Sequence, residues 1–249
     1  MRILLINANN SQVVTDKVVA GARGAISPGT ELIAVTGTFG PRVIGTRSEN
    51  AMAAHSTMHL AAKHAPGVDA VVIAVSYDTG LGGAREMLGI PVVGMTEAAL
   101  LTACMLGGRI GIITFGHRVQ PMYRELVESY GLISRVAGWR SIESSAPYQP
   151  GAHDELDREI VATALSLIEK DGAETVVLTG AVMASVSSRL QPQVPVPLLD
   201  GITAGVRQAE LLARARYPKP ATGSYAPPGP RELIGADPAL VEAFKTPPR

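Results

Sequence analysis

Ser76 stands where the apolar run Ala70 to Val75 gives way to Tyr77-Asp78-Thr79-Gly80, and a serine at such a strand end can do two different things. Its hydroxyl could attack an amide, imide or ester carbonyl while the backbone N–H groups of Tyr77 to Gly80 hold the oxyanion. It could equally cap a helix or donate a hydrogen bond to a ligand and do no more. A nucleophilic serine needs a base. Asp78 is the nearest carboxylate, and capping of a helix starting near Thr79 is its alternative role. His117 follows a second strand tip, Thr114-Phe115-Gly116, and is the one histidine this reading places in a cleft. An imidazole titrates near neutral pH and could serve Ser76 or a bound water; a solvated loop residue is the plain alternative.

A second set of residues offers binding rather than reaction. Asn7, Asn9, Asn10 and Ser11 supply neutral donors at the end of the first apolar run, a cradle for a carboxylate or ring carbonyl, or an N-cap cluster and nothing further. Gly40, Gly180 and Ala181 leave room and backbone donors for a ligand, although glycine at a turn also simply tolerates positive φ. His55 and His59 are spaced i, i+4, but no His-Glu-x-x-His pattern or third ligand accompanies them, so a solvated helix face is expected and no metal. No Walker loop occurs, and Gly80-Leu81-Gly82-Gly83 lacks the spacing of a dinucleotide fingerprint, so no cofactor is indicated.

Short β-branched runs alternate with longer amphipathic stretches, the pattern of an α/β fold whose mainly parallel sheets are covered by helices. Strands are expected at Ile3 to Asn7, Glu31 to Thr36, Ala70 to Val75, Val92 to Gly94, Ile110 to Thr114, Thr175 to Thr179 and Val196 to Leu199. The chain also repeats itself. Gly67 to Ser76 resembles Asp171 to Gly180, and Pro91 lies as far beyond Ser76 as Pro195 lies beyond Gly180. Arg2-Ile3-Leu4-Leu5-Ile6-Asn7 likewise resembles Arg109-Ile110-Gly111-Ile112-Ile113-Thr114. Two pseudo-symmetric lobes follow, 1–95 and 96–217, with a helix over 201–217 available to pack on the first. Beyond Tyr217 the sequence turns Pro- and Gly-rich, an extended arm over 218–249 with a short helix at Pro238 to Phe244. Ligands of such sheets bind beyond the strands' carboxyl ends, which brings Asn7 to Ser11, Ser76 to Gly80, Thr114 to His117 and Gly180 to Met183 to one cleft.

The bulk composition excludes several classes. With 22 basic and 22 acidic residues in 249, no field would hold a polyanion, and nucleic acid is not an expected partner. No apolar run approaches the roughly 20 residues that span a bilayer, and the opening run is too short for a signal segment, so a cytoplasmic protein is expected. The single cysteine, Cys104, lies in a continuous apolar helical stretch and suits core packing.

At these residues the chain resembles the aspartate/glutamate/hydantoin racemase superfamily. Ile6-Asn7-Ala8-Asn9-Asn10-Ser11 is similar to the N-terminal Asn-Pro-Asn-Thr-Ser signature of the hydantoin and allantoin racemases, departing at Ala8 and Asn10. Phe39-Gly40-Pro41-Arg42-Val43-Ile44 resembles their second loop, which adds Pro41 to the candidate ligand contacts. Ser76-Tyr77-Asp78-Thr79-Gly80-Leu81, followed by Ala84-Arg85-Glu86, resembles their first catalytic segment, and Thr179-Gly180-Ala181-Val182-Met183-Ala184 the second. The resemblance implies cysteine at both positions where Ser76 and Gly180 stand. Two thiols on opposite faces of a carbon acid are how such racemases move a proton. Glycine carries no proton and serine is a weak base, which disfavours symmetrical racemisation. Arylmalonate decarboxylases of the same superfamily pair glycine with one cysteine, and here even that one is missing. The expectation is therefore a cofactor-independent enzyme acting on a small carboxylate or hydantoin-like cyclic amide, with hydrolysis or ring opening at Ser76 slightly favoured over proton transfer at carbon. A racemase or isomerase using other acid/base residues, or a silent ligand-binding protein, are the alternatives, and a homo-oligomer is expected.

Overall fold

Ile3 and Leu5 point to one side of the first strand and Leu4 and Ile6 to the other, all four buried, so this strand must lie in the middle of a sheet covered on both faces. In the computed structural model, which describes residues 1–143 and 153–245, that strand is β1 (Arg2–Asn7). It pairs in parallel with β2 (Glu31–Thr36) and β3 (Ala70–Ile73), and β3 pairs with β4 (Val92–Gly94). The second sheet repeats the plan: β5 (Ile110–Phe115) lies between β6 (Val136–Ile142) and β7 (Thr175–Leu178), and β8 (Leu198–Asp200) lies outside β7. The strand orders β2-β1-β3-β4 and β6-β5-β7-β8 are the same, as the internal repeat requires. The helices are α1 (Gln12–Arg23), α2 (Arg47–His64), α3 (Leu81–Met87), α4 (Met95–Leu106), α5 (Gln120–Ser129), α6 (His153–Asp171), α7 (Val186–Leu190), α8 (Gly201–Ala215) and α9 (Pro238–Lys245).

The expected α/β class is what the structure shows, with differences at particular strands. β3 stops at Ile73 rather than Val75, although Ala74 N–H still donates to the Ile6 carbonyl at 2.8 Å. β8 begins at Leu198 rather than Val196 because Pro197 has no N–H to give the ladder. β6 was not anticipated at all. As an edge strand, half-buried along nearly all its length, it carries Gly138, Trp139 and Arg140 instead of an apolar run.

One core joins the lobes. Ile3, Leu5 and Val72 of the first sheet pack in the same cluster as Ile110, Ile112 and Val177 of the second, with α4 and α8 between them. α8 lies against β1, β3 and β4, while α4 lies against β5, β7 and β8, so the helix that follows the last strand of each sheet reaches over to cover the other sheet as well as its own last strand. Close approach requires glycine at Gly201, where a Cβ would sit 2.8 Å from the Met95 carbonyl oxygen, and the packing is tight at Gly205, where one would sit 3.1 Å from Val72 Cγ1. Glu210 ties α8 to the turn before β2, accepting from Ser27 N–H at 3.0 Å and from Ser27 Oγ at 2.9 Å. The arm runs back along the first lobe, where Lys219 Nζ donates to the Leu88 carbonyl at 2.8 Å and Leu240 of α9 is buried beside Leu60. Its last four residues, 246–249, lie outside the described residues.

Candidate active site

The tips of the inner strands meet at a cavity of about 260 Å³. From the first lobe it is lined by Asn9, Val14, Val43 to Gly45 and Ala74 to Tyr77; from the second by Phe115, Val119, Tyr123 and Thr179 to Val182. None of these side chains carries a formal charge. Ser76, 8% exposed, stands on one side, and Gly180, with φ +96°, on the other. A Cβ at Gly180 would meet nothing closer than Met183 Cγ at 3.7 Å, so the glycine leaves open space.

Asp78 is not in that lining. It takes a φ of +48°, uncommon for a residue with a side chain, and turns its carboxylate onto the start of α4. There it accepts from Thr96 N–H at 3.0 Å, Glu97 N–H at 2.8 Å and the Tyr130 hydroxyl at 2.7 Å. The expected capping role is therefore exercised on α4, not on a helix starting near Thr79. Gly94 has to be glycine because Asp78 occupies the space of its side chain, with Asp78 Cγ 2.5 Å from where a Cβ would lie. Thr96 Oγ1 donates back to the Ser76 carbonyl at 2.6 Å, so the Ser76 tip is fastened to α4 from both ends. Burial pushes the Asp78 carboxyl up to about 7, against the opposing pull of the three donors.

His117 is likewise outside the cavity. Gly116, at φ +94°, turns the chain outward, the His117 N–H donates to Glu143, and the imidazole lies 3.5 Å from the same carboxylate with a side chain 74% exposed. Neither proposed base thus stands at the cavity beside Ser76. The backbone oxyanion donors are reduced too, since Asp78 N–H is spent on the Val75 carbonyl at 2.8 Å. The structure does not assemble the hydrolytic set expected from the sequence.

The asparagine cradle narrows to one residue. Asn7 spends its amide on Asn9 Oδ1 at 2.9 Å, Thr15 Oγ1 at 3.0 Å and the Ser11 carbonyl, and is buried. Asn10 N–H donates to the Pro41 carbonyl at 2.9 Å, and Ser11 begins α1 without a side-chain cap bond. Only Asn9 reaches the cavity. From the second loop the lining residues are Val43, Ile44 and Gly45, and Gly40 and Pro41 are not among them. Thr79 and Gly80 face α2, where Thr57 Oγ1 donates to the Thr79 carbonyl at 2.8 Å and Gly80 abuts Thr57. Thr114 is fully buried, and its neighbour Phe115 lines the cavity in its place. Tyr77, Ala181 and Val182 are where the sequence placed them. His59 approaches Asp237 at 3.3 Å rather than lying on an open face.

Tyr123 was missed. It comes from α5, it is 5% exposed, and it lines the cavity together with Ser76 and Thr179. Its ring lies 4.7 Å from that of Tyr77. Burial pushes its pKa up, opposed by those two hydroxyls and assisted by the Asp78 charge, so it rests as the neutral phenol.

Two matched parallel sheets meeting at their strand tips over a small uncharged cavity define a two-lobed α/β protein with a cleft between its lobes. The family described as Asp/Glu/Hydantoin racemase matches residues 3–209, and the chain belongs to it. It is a racemase-superfamily enzyme. A hydantoin racemase from Pseudomonas sp. (strain NS671) is 32% identical over 240 residues, covering 95% of each chain. Among solved structures, an allantoin racemase from Klebsiella pneumoniae superposes with a TM-score of 0.90 at 30% identity, covering 96% of this chain and 98% of its own. An allantoin racemase from Pseudomonas fluorescens gives a TM-score of 0.88 at 32% identity, covering 94% of this chain and 100% of its own.

Proposed function

We propose that this enzyme takes a neutral, hydantoin- or allantoin-like cyclic ureide into the interlobe cleft and moves a proton at a ring carbon from the Ser76 side. The observation that carries this reading is the uncharged lining. A carboxylate that sheds hydration to enter this site finds no cation in the lining to compensate it, whereas a ring of amide N–H and C=O groups finds hydroxyl and amide partners. Sites for drug-sized ligands run to about 300–1,000 Å³, and a cavity below that range suits a small ring. The relatives named for hydantoin and allantoin racemisation support the same substrate class.

The reaction is argued from the facing pair. The family resemblance places Ser76 and Gly180 where thiols would stand, and only Ser76 bears a proton. Delivery from one side exchanges the ring hydrogen with solvent without inverting the carbon. Hydrolysis at Ser76 lacks support, since neither Asp78 nor His117 lines the cavity beside its hydroxyl and the relatives are racemases.

The test is incubation with enantiopure 5-substituted hydantoins, allantoin and the matching ring-opened N-carbamoyl amino acids in deuterated water, following mass, optical rotation and binding together. Deuterium should enter the ring carbon faster than rotation is lost, and the ring-opened carboxylates should bind at least about tenfold more weakly, the 1.4 kcal/mol that one uncompensated charge readily exceeds. Loss of rotation in step with exchange would overturn the one-sided reaction. A ring-opened product abolished by Ser76→Ala would restore serine hydrolysis.

A further inference from the structure

The proposed reaction uses Gly180 only as a missing acid, yet the space this glycine leaves has walls. A Cβ built there would lie 3.9 Å from Phe115 Cδ2 and 4.0 Å from Val182 Cγ2, two side chains that line the cavity, and 3.7 Å from Met183 Cγ. All three neighbours are carbons at ordinary van der Waals distance, so the space is free and its walls are apolar. The walls are also held in place. Phe115 ends β5, Val182 belongs to the turn after β7, and both pack against the second lobe's core, of which the fully buried Met183 is a member.

The stereochemistry of a ring carbon says what belongs there. A ring carbon that carries one hydrogen and one substituent holds them on opposite faces of the ring. When the hydrogen faces Ser76, the substituent faces away from it, and Ser76 and Gly180 come to the cavity from different lobes. We propose that the space at Gly180 is the subsite for the substituent on the reacting carbon, and that Phe115 and Val182 select an apolar one. The inference rests on the reading of the cleft as a place where a cyclic ureide exchanges a proton on its Ser76 side.

The subsite decides between the two kinds of ring that the cleft could take. An alkyl or arylmethyl group on the carbon meets carbon walls and leaves water, which is favourable in proportion to the area it buries. The ureido group of allantoin brings three N–H donors and a carbonyl into the same space, and the side chains of Phe115, Val182 and Met183 offer none of them a partner. Hydantoins with an apolar substituent are therefore the preferred substrates, and allantoin is a poor one. One enantiomer fits. Its mirror image would turn the substituent towards Ser76 and the hydrogen towards Gly180, which has no side chain to take it. Contact of the substituent with Phe115 and Val182 also keeps the ring from turning over, so only the face towards Ser76 exchanges.

The experiment measures Kd and deuterium exchange at C5 for hydantoin, both enantiomers of 5-isobutyl- and 5-benzylhydantoin, and allantoin. Gly180 itself is not the residue to change, because at φ +96° any side chain strains the backbone, so the walls are changed instead. Wild-type protein should bind one enantiomer of 5-isobutylhydantoin at least about tenfold more tightly than hydantoin or allantoin, since each buried methylene contributes roughly fourfold. Exchange should be confined to that enantiomer. Val182→Leu, which adds a methylene to one wall, should lower the preference for isobutyl over hydrogen at least about fivefold, and Phe115→Leu should shift preference from isobutyl towards benzyl by a similar factor. A merely structural effect of either substitution would weaken every ring alike. Allantoin bound as tightly as 5-isobutylhydantoin, or wall variants that change the affinities for hydantoin and its isobutyl derivative by the same factor, overturns the subsite, and the proton transfer stands if the wild type still exchanges deuterium. The expected preferences without any exchange support the subsite and overturn the reaction. Protein that binds none of the rings overturns both.

Discussion

Asp78 is a carboxylate buried to 4% exposure that serves the site by holding Ser76 rather than by touching a ligand, and its burial has a thermodynamic signature. Its pKa is raised from 3.8 to about 7 on folding, so between those values the folded chain binds a proton that the unfolded chain has released. Its contribution is complete below about pH 4 and is lost as pH rises through about 7, at roughly 1.4 kcal/mol per unit and on the order of 4 kcal/mol in all. Urea denaturation from pH 4 to pH 8 should therefore show wild-type stability falling relative to Asp78→Asn, which keeps the shape without the proton. A constant difference across that range would mean the carboxyl is not titrating there. Ser76 and Gly180 were legible in the sequence because the repeat aligned them at equivalent strand ends. Tyr123 was not, because a tyrosine on the buried side of an amphipathic helix has no sequence mark to separate it from core. His117 was misplaced because the sequence does not show which way Gly116 will turn the chain.

Elements set the position of these side chains by how closely their backbones approach. α1 carries Val14 into the cavity wall and rests on the turn at Ala181 to Ala184, where a Cβ on Gly21 would collide with Ala184 Cβ and lie 3.1 Å from its carbonyl carbon. Gly21→Ala should therefore push α1 from the second lobe, costing about 1–3 kcal/mol and weakening ligand binding. Gly24 is the control. It lies at φ −74°, its Cβ would meet only the Gly21 carbonyl oxygen at 3.6 Å, and Gly24→Ala should leave both measurements near wild type. Equal effects of the two substitutions would show that helix composition, not the close approach, is responsible. The inner strands were plain in the sequence since, buried on both faces, they must be continuous apolar runs. β6 was hidden because an edge strand needs only one neighbour and tolerates Arg140, whose guanidinium pairs with Asp171.

On the scale of the whole molecule, the exchange of α4 and α8 removes the independence that two matched sheets would otherwise suggest. Each sheet's inner face is completed by a helix whose sequence belongs to the other half of the repeat, and neither can keep its apolar face covered if the other unfolds. The repeat made two lobes legible, but the sequence pattern of a crossing helix is the same whichever sheet it covers. The arrangement predicts one unfolding transition. Val72, fully buried on β3 against Gly205 of α8, belongs to the first sheet, while the only tryptophan, Trp139, reports from β6 on the far edge of the second. Val72→Ala should cost about 2 kcal/mol through the cavity it opens. The midpoint seen by Trp139 fluorescence should fall by the same amount as the midpoint seen by far-ultraviolet circular dichroism. If the tryptophan transition stayed where it was while part of the dichroism was lost earlier, the lobes would be unfolding separately. The shared core would then be too weak to couple them, and the cleft between them would open before either sheet melts.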